Sequence, residues 1–185
     1  MPLPPKSTSV LPTGEPDGWA PPRAFRSQTA PDGSTRLVVS VPPEELRHVH
    51  LNLLRALGDR VGVLYVQLTD RTQGQLPKPV KRVALDVRID RLVTVLDERA
   101  TLIWHDGRHQ LWCRGAMEDQ VVLDELGVLY TYPDDPAFRD VLADIPELPT
   151  VGMDGRDYVR VNFEASADEM ERTLWAELAM REWGA

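Results

Sequence analysis

Over residues 89–104 the apolar side chains recur at helical spacing. Ile89, Leu92, Val93, Leu96, Ala100, Ile103 and Trp104 follow one another at steps of 3, 1, 3, 4, 3 and 1. A strand alternates its side chains with period two and cannot gather that set on one face. Asp90, Arg91, Asp97, Glu98 and Arg99 fall on the other side. The spacing predicts one amphipathic helix over residues 86–105, with Asp86 as its N-cap and Gly107 just past its end. A competing reading pairs residues 101–104 with residues 108–112 as a hairpin closed by Asp106-Gly107. The longer helical register outweighs it, and residues 108–114 form a strand either way.

The flanking chain reads as alternating strands and helices. Residues 37–41 are mostly β-branched and end at Pro42-Pro43, which predicts a strand. Pro43 and Glu44-Glu45 suit a first helical turn, where the missing N–H costs nothing and negative charge meets the helix dipole. Leu46, Val49, Leu53, Leu54 and Leu57 continue that helix, and Gly58 closes it. Residues 61–68 are apolar on both faces and so predict a central strand. Residues 69–80 read as a polar loop. Residues 120–124 and 128–132 predict an antiparallel hairpin. Asp135 and Pro136 open a short helix. Residues 158–163 alternate as a half-buried strand. Ser166 to Glu169 spells a capping box before the last helix, which buries Met170, Leu174, Leu178, Trp175 and the stem of Arg181.

These elements predict an α+β domain over residues 36–185. Its sheet is mixed or antiparallel with a central meander, and its helices lie mainly on one face. Residues 1–35 hold eight of the sixteen prolines. Each removes a backbone donor and fixes φ, so the segment is expected to be a disordered, flexible leader.

Charge bounds the function. The chain carries a net −8, which argues against sequence-independent nucleic-acid binding. The balance is uneven: residues 34–117 carry +4 and residues 118–185 carry −12. No run approaches the ~20 apolar residues of a membrane helix. A single cysteine, Cys113, excludes an intrachain disulfide and a four-cysteine zinc site and suits a reducing cytoplasm. Arginine outnumbers lysine eighteen to three, the codon bias of a GC-rich and therefore bacterial genome.

Four histidines are the candidate carriers of chemistry: His48, His50, His105 and His109. His48 and His50 point roughly 200° apart on a helix and cannot share an ion. His105 and His109 bracket a bend with Asp106. Two imidazoles and a carboxylate match the ligand types of a catalytic zinc or iron site, though not a known spacing. Cys113 lies about 13 Å along its strand from His109, too far for a dyad, and reads as a buried hydrophobe.

The leading expectation is a non-catalytic protein-binding module without a cofactor, an adaptor or an immunity-type inhibitor. It would meet a basic partner through Tyr130, Tyr132, Asp134, Asp135 and Trp183 in the acidic C-terminal half. Two alternatives stand beside it. One is a metal-dependent enzyme centred on His105, Asp106 and His109. The other is a subunit of a homo-oligomer laced together by its proline-rich tail.

Overall fold

The computed structural model describes residues 3–71, 74–151, 157 and 160–184. Its strands are β1 (Ser7–Thr8), β2 (Ala24–Thr29), β3 (Thr35–Ser40), β4 (Arg60–Asp70), β5 (Gly74–Arg88), β6 (His109–Arg114), β7 (Gln120–Leu123), β8 (Leu129–Tyr132), β9 (Arg160–Val161) and β10 (Arg181–Glu182). Its helices are α1 (Pro43–Ala56), α2 (Ile89–Asp97), α3 (Ala100–His105), α4 (Pro136–Val141) and α5 (Ala167–Glu177). Eight strands form one antiparallel sheet in the order β10-β5-β4-β6-β7-β8-β3-β2. The fold is α+β, and β6, β7 and β8 are the predicted meander. No described helix is long and apolar enough to cross a membrane.

One face of the sheet joins all five helices in a single core. Leu37, Val39, Val61, Val63, Tyr65, Leu111, Cys113, Val121, Leu123 and Leu129 supply the strands' share. Leu53, Leu54, Leu92, Leu96, Leu102, Trp104, Phe138, Leu142 and Leu174 supply most of the helices' share. Burying these side chains is the main stabilising term, about 1.5–3 kcal/mol for each large one.

Four local expectations are corrected. The first concerns the helix over 86–105. Residues 83–88 stay extended because they pair with β4, and Asp86 takes a left-handed φ of 59° beside a register shift instead of capping a helix. The helix begins at Ile89, and α2 and α3 are separate. Between them Arg99, at φ −118°, turns its guanidinium back onto the Val95 carbonyl at 2.9 Å. Ile89, Leu92, Leu96, Ile103 and Trp104 are nonetheless all buried; two short helices reach the core where one long helix was expected. The hairpin alternative is not formed.

The second concerns the loop expected over residues 69–80; of the described residues there, 69–70 and 74–80 extend the β4–β5 hairpin instead of looping. The stretch reads as a polar loop; its Pro77 and Pro79 cannot donate to a ladder. They lie where β10 does not reach, since β10 pairs only with Arg82 and Val83. An edge strand tolerates proline there, and proline deters further pairing.

The third concerns the proline-rich leader, whose described part holds regular structure. β2 pairs with β3 over six residues, so a boundary at residue 35 divides a hairpin, and β1 pairs with β9. Neither strand contains proline, so proline limits where strands form here without preventing them. The fourth concerns Ser166. It sits in helical geometry, φ −63° and ψ −18°, and its hydroxyl caps nothing; a capping side chain needs extended backbone at that position. By contrast the Asp135 carboxylate accepts from the Ala137 N–H at 2.8 Å as predicted. Of the strand expected over 158–163 only β9 is seen, with Tyr158 and Val159 outside the described residues.

Candidate functional site

The corner from His105 to His109 joins α3 to β6 and is sealed by the N-terminal segment. Gly107 is needed there for close packing. A Cβ on it would lie 2.1 Å from Val161 Cγ1 and 2.4 Å from the Lys6 carbonyl. Its N–H donates to the Asn162 carbonyl, and Asn162 N–H donates to the Lys6 carbonyl, both at 2.8 Å.

Lys6 is the residue that sequence reasoning missed most completely. Its side chain is fully buried. The ammonium donates to the carbonyls of Ile103 at 3.2 Å and Asp106 at 2.9 Å, groups left over at the end of a helix. It also lies 3.4 Å from His109 Nε2. Burial pulls its pKa down to about 8, against the raising fields of Asp106, Asp124 and Glu125.

The three expected metal ligands do not converge. His105 Nδ1 meets the Pro4 carbonyl at 2.8 Å. The buried Asp106 carboxylate accepts from Arg108 N and Nε at 3.0 Å, from Arg71 Nη1 at 3.1 Å and from Glu164 N at 3.1 Å. Burial opposes its ionisation, yet the Arg108 hydrogen bonds and the Arg71 charge hold its pKa below the usual carboxylate value. His109 is stacked on Tyr65 with centroids 4.8 Å apart. Burial, then the charges of Lys6, Arg71 and Arg108, push its pKa well below the ordinary imidazole value. Among the described residues no group of three or more His, Cys, Asp or Glu side chains could hold a metal ion.

What the corner does hold is an ionic core. Glu171 of α5 accepts from Tyr65 Oη at 2.7 Å and from Arg71 Nε at 2.9 Å, and burial pushes its pKa up. Asp168 accepts from Arg71 and Arg108. The network ties α5, β4 and the corner together. Glu171 had a sequence signal: with Ala167, Leu174 and Leu178 it falls on the buried stripe of α5. Lys6 had none, since its partners lie about a hundred residues away. The larger grooves lie elsewhere; one of about 660 Å³ runs between α1 and α2 and is lined by Arg47, His48, Leu51 and Thr94.

The other histidines and the cysteine stand as read. His48 is exposed and His50 buried; His50 accepts from the Trp104 indole at 3.2 Å. Cys113 is buried, and burial pushes its thiol up to about 12, far from a reactive thiolate.

The five contact candidates separate in space. Tyr130 and Tyr132 lie under Arg36, whose guanidinium is 5.0 Å and 5.9 Å from their ring centroids. Arg36 is their shared neighbour, and Tyr130 also donates to the Asp124 carboxylate at 3.4 Å. Asp134 is engaged by Arg139 at 2.6 Å, and Asp135 caps α4. Trp183 is 63% exposed but follows β10, five strand positions from β8, about 24 Å along the sheet.

The register exposes a surface that the linear sequence concealed. On the face away from the helices, Arg181, Val83, Leu64, Trp112, Val122, Tyr130, Val38 and Arg26 stand directly opposite one another across all eight strands. None of them belongs to the helix-side core. Val38 and Tyr130 join a small satellite cluster with Ala24, Val128 and Val151. Val83, Leu64 and Trp112 belong to neither cluster and stay partly exposed. Leu85, beside Gly62, is 76% exposed, and Met117, in the turn after Arg114, is 87% exposed.

Comparison with protein-family models, curated proteins and solved structures finds no match for this chain.

Proposed function

We propose that the chain is a non-catalytic protein-binding module that engages its partner through the outer face of the sheet. The supporting observation is the cross-strand row centred on Leu64 and Trp112. An apolar row with an aromatic at its middle and arginines at its ends has the make-up of a recognition surface, in which aromatic and arginine side chains carry most of the energy. The polar cluster at the His105–His109 corner supports a structural role for those residues: His105 and Asp106 are hydrogen-bonded internally, and His109 is stacked on Tyr65, with its buried Nδ1 left without a hydrogen-bond partner among the described residues. The metal-dependent alternative requires His105, Asp106 and His109 to leave Pro4, the two arginines and Tyr65.

Affinity capture with the full-length protein tests the reading. Trp112→Asp and Leu64→Asp are expected to abolish capture of whatever the wild type retains. His48→Asp, exposed on α1 in the helix layer behind the other face of the sheet, is expected to leave it intact. A partner held equally by all three variants, each checked for a native melt, would move the contact surface elsewhere.

A further inference from the structure

We infer that the partner of the outer face is an acidic amphipathic helix. The inference rests on the binding-module reading above and adds the chemistry of the occupant. Although the chain is net −8, the outer face is bordered by cations. Arg181 and Arg26 end the central row. Lys81, opposite Val66, flanks it on one side; Arg114, opposite Gly62, and Arg36 flank it on the other. The carboxylates beside this face are engaged, Glu125 by Gln110 at 2.6 Å. Glu118 pairs with Arg114 at 2.9 Å. Asp124 is buried and accepts from the N–H groups of Leu126 and Val128 at 2.9 Å and 2.8 Å.

The shape supports a helix. The row runs perpendicular to the strands from Val83 on β5 to Tyr130 on β8, four strand spacings, or about 19 Å, with Val122 buried between the partly exposed Trp112 and Tyr130. A helix covers that length in about 13 residues and presents apolar side chains at about 5.4 Å per turn, close to the ~4.8 Å strand spacing. Carboxylates beside that ridge would meet Arg114 and Arg36 on one side and Lys81 on the other. A second copy docked face to face would set arginine against arginine. A single-stranded nucleic acid needs adjacent aromatic platforms, whereas Trp112 and Tyr130 are separated by Val122.

Three fluorescein-labelled probes test this by anisotropy against the full-length protein: a helical peptide with a leucine ridge flanked by glutamates, the same peptide with lysines for glutamates, and a twelve-residue oligouridylate. The acidic peptide is expected to bind, to weaken several-fold as salt rises from about 50 to 300 mM, and to lose about tenfold in affinity with Trp112→Asp or Arg114→Glu. His48→Ser, on α1 in the helix layer, should leave its affinity unchanged. Arg114 is half exposed, so its variant serves if Trp112→Asp does not fold. No binding by the acidic peptide, tighter binding by either other probe, or indifference to both outer-face variants overturns the inference. If the acidic peptide fails while lysate capture still depends on Trp112, the binding module stands and only the partner's chemistry is wrong.

Discussion

The two faces of the eight-stranded sheet are made by the same strands, one residue out of phase. Leu111 and Cys113 of β6 point into the helix-side core, and both are fully buried. Their neighbour Trp112 points the other way and stays partly exposed. The inward side is continuous, apolar and closed by five helices. The outward side is a single apolar row edged with arginine. A period-two pattern with apolar residues in both phases fits a strand buried on both sides. Here the second phase is covered at its β3–β8 end by the satellite cluster around Val151 and is buried at Val122 and Val66, while Val83, Leu64 and Trp112 stay partly exposed. On the proposed reading, these apolar side chains, which no described helix covers, form the contact surface.

Stability measurements can break that contrast. The largest effect is expected at Leu111, where truncation to alanine should cost about 3 kcal/mol through lost burial and a cavity. Leu64→Ala, one strand away on the other face, should cost less than about 1 kcal/mol. Urea denaturation reads both. Equal losses would mean that the outer face is packed as tightly as the inner one.

A smaller effect sharpens the comparison at the sealed corner. Burial holds Lys6 at about 8, against the ordinary 10.5. Between those values the unfolded chain binds a proton that the native chain does not. The group's contribution to stability therefore rises with pH through that window. Lys6→Met removes the titration. From about pH 7 to pH 9.5 the wild type should gain about 2 kcal/mol relative to that variant. A constant difference between the two would place the Lys6 ammonium in water.

The smallest effect separates two helix starts that look alike in sequence. Asp135→Ala should cost about 1 kcal/mol, because the carboxylate caps α4. Ser166→Ala should change little, because its hydroxyl caps nothing. Paired thermal melts of the two variants check the order.

Much of the architecture is legible in the amino-acid sequence alone. The stripe of α1, the hairpin of β7 and β8, and the Asp135-Pro136 start each depend on residues within a turn or two of one another. The failures have a common cause. Asp86 reads as an N-cap only if β5 ends before it, and β4 decides that it does not. Pro77 and Pro79 read as loop residues until the strand beside them is known to be missing. His105, Asp106 and His109 read as a ligand set because sequence shows their proximity and hides their partners. Two of those partners, Pro4 and Lys6, come from the far end of the chain.

The sequence by itself determined, for most segments, whether they are helix or strand, because periodicity and turn chemistry are encoded over a few residues. It also pointed to Cys113 as a buried hydrophobe and to diverging histidines on α1. Only the tertiary structure decided that a lysine near the N-terminus caps α3, that the reactive corner is spent on internal bonds, and that eight residues from eight strands form one row. Each of these depends on strand register and chain closure, which bring together residues as much as a hundred positions apart through the summed packing of the core, and no local pattern carries that sum.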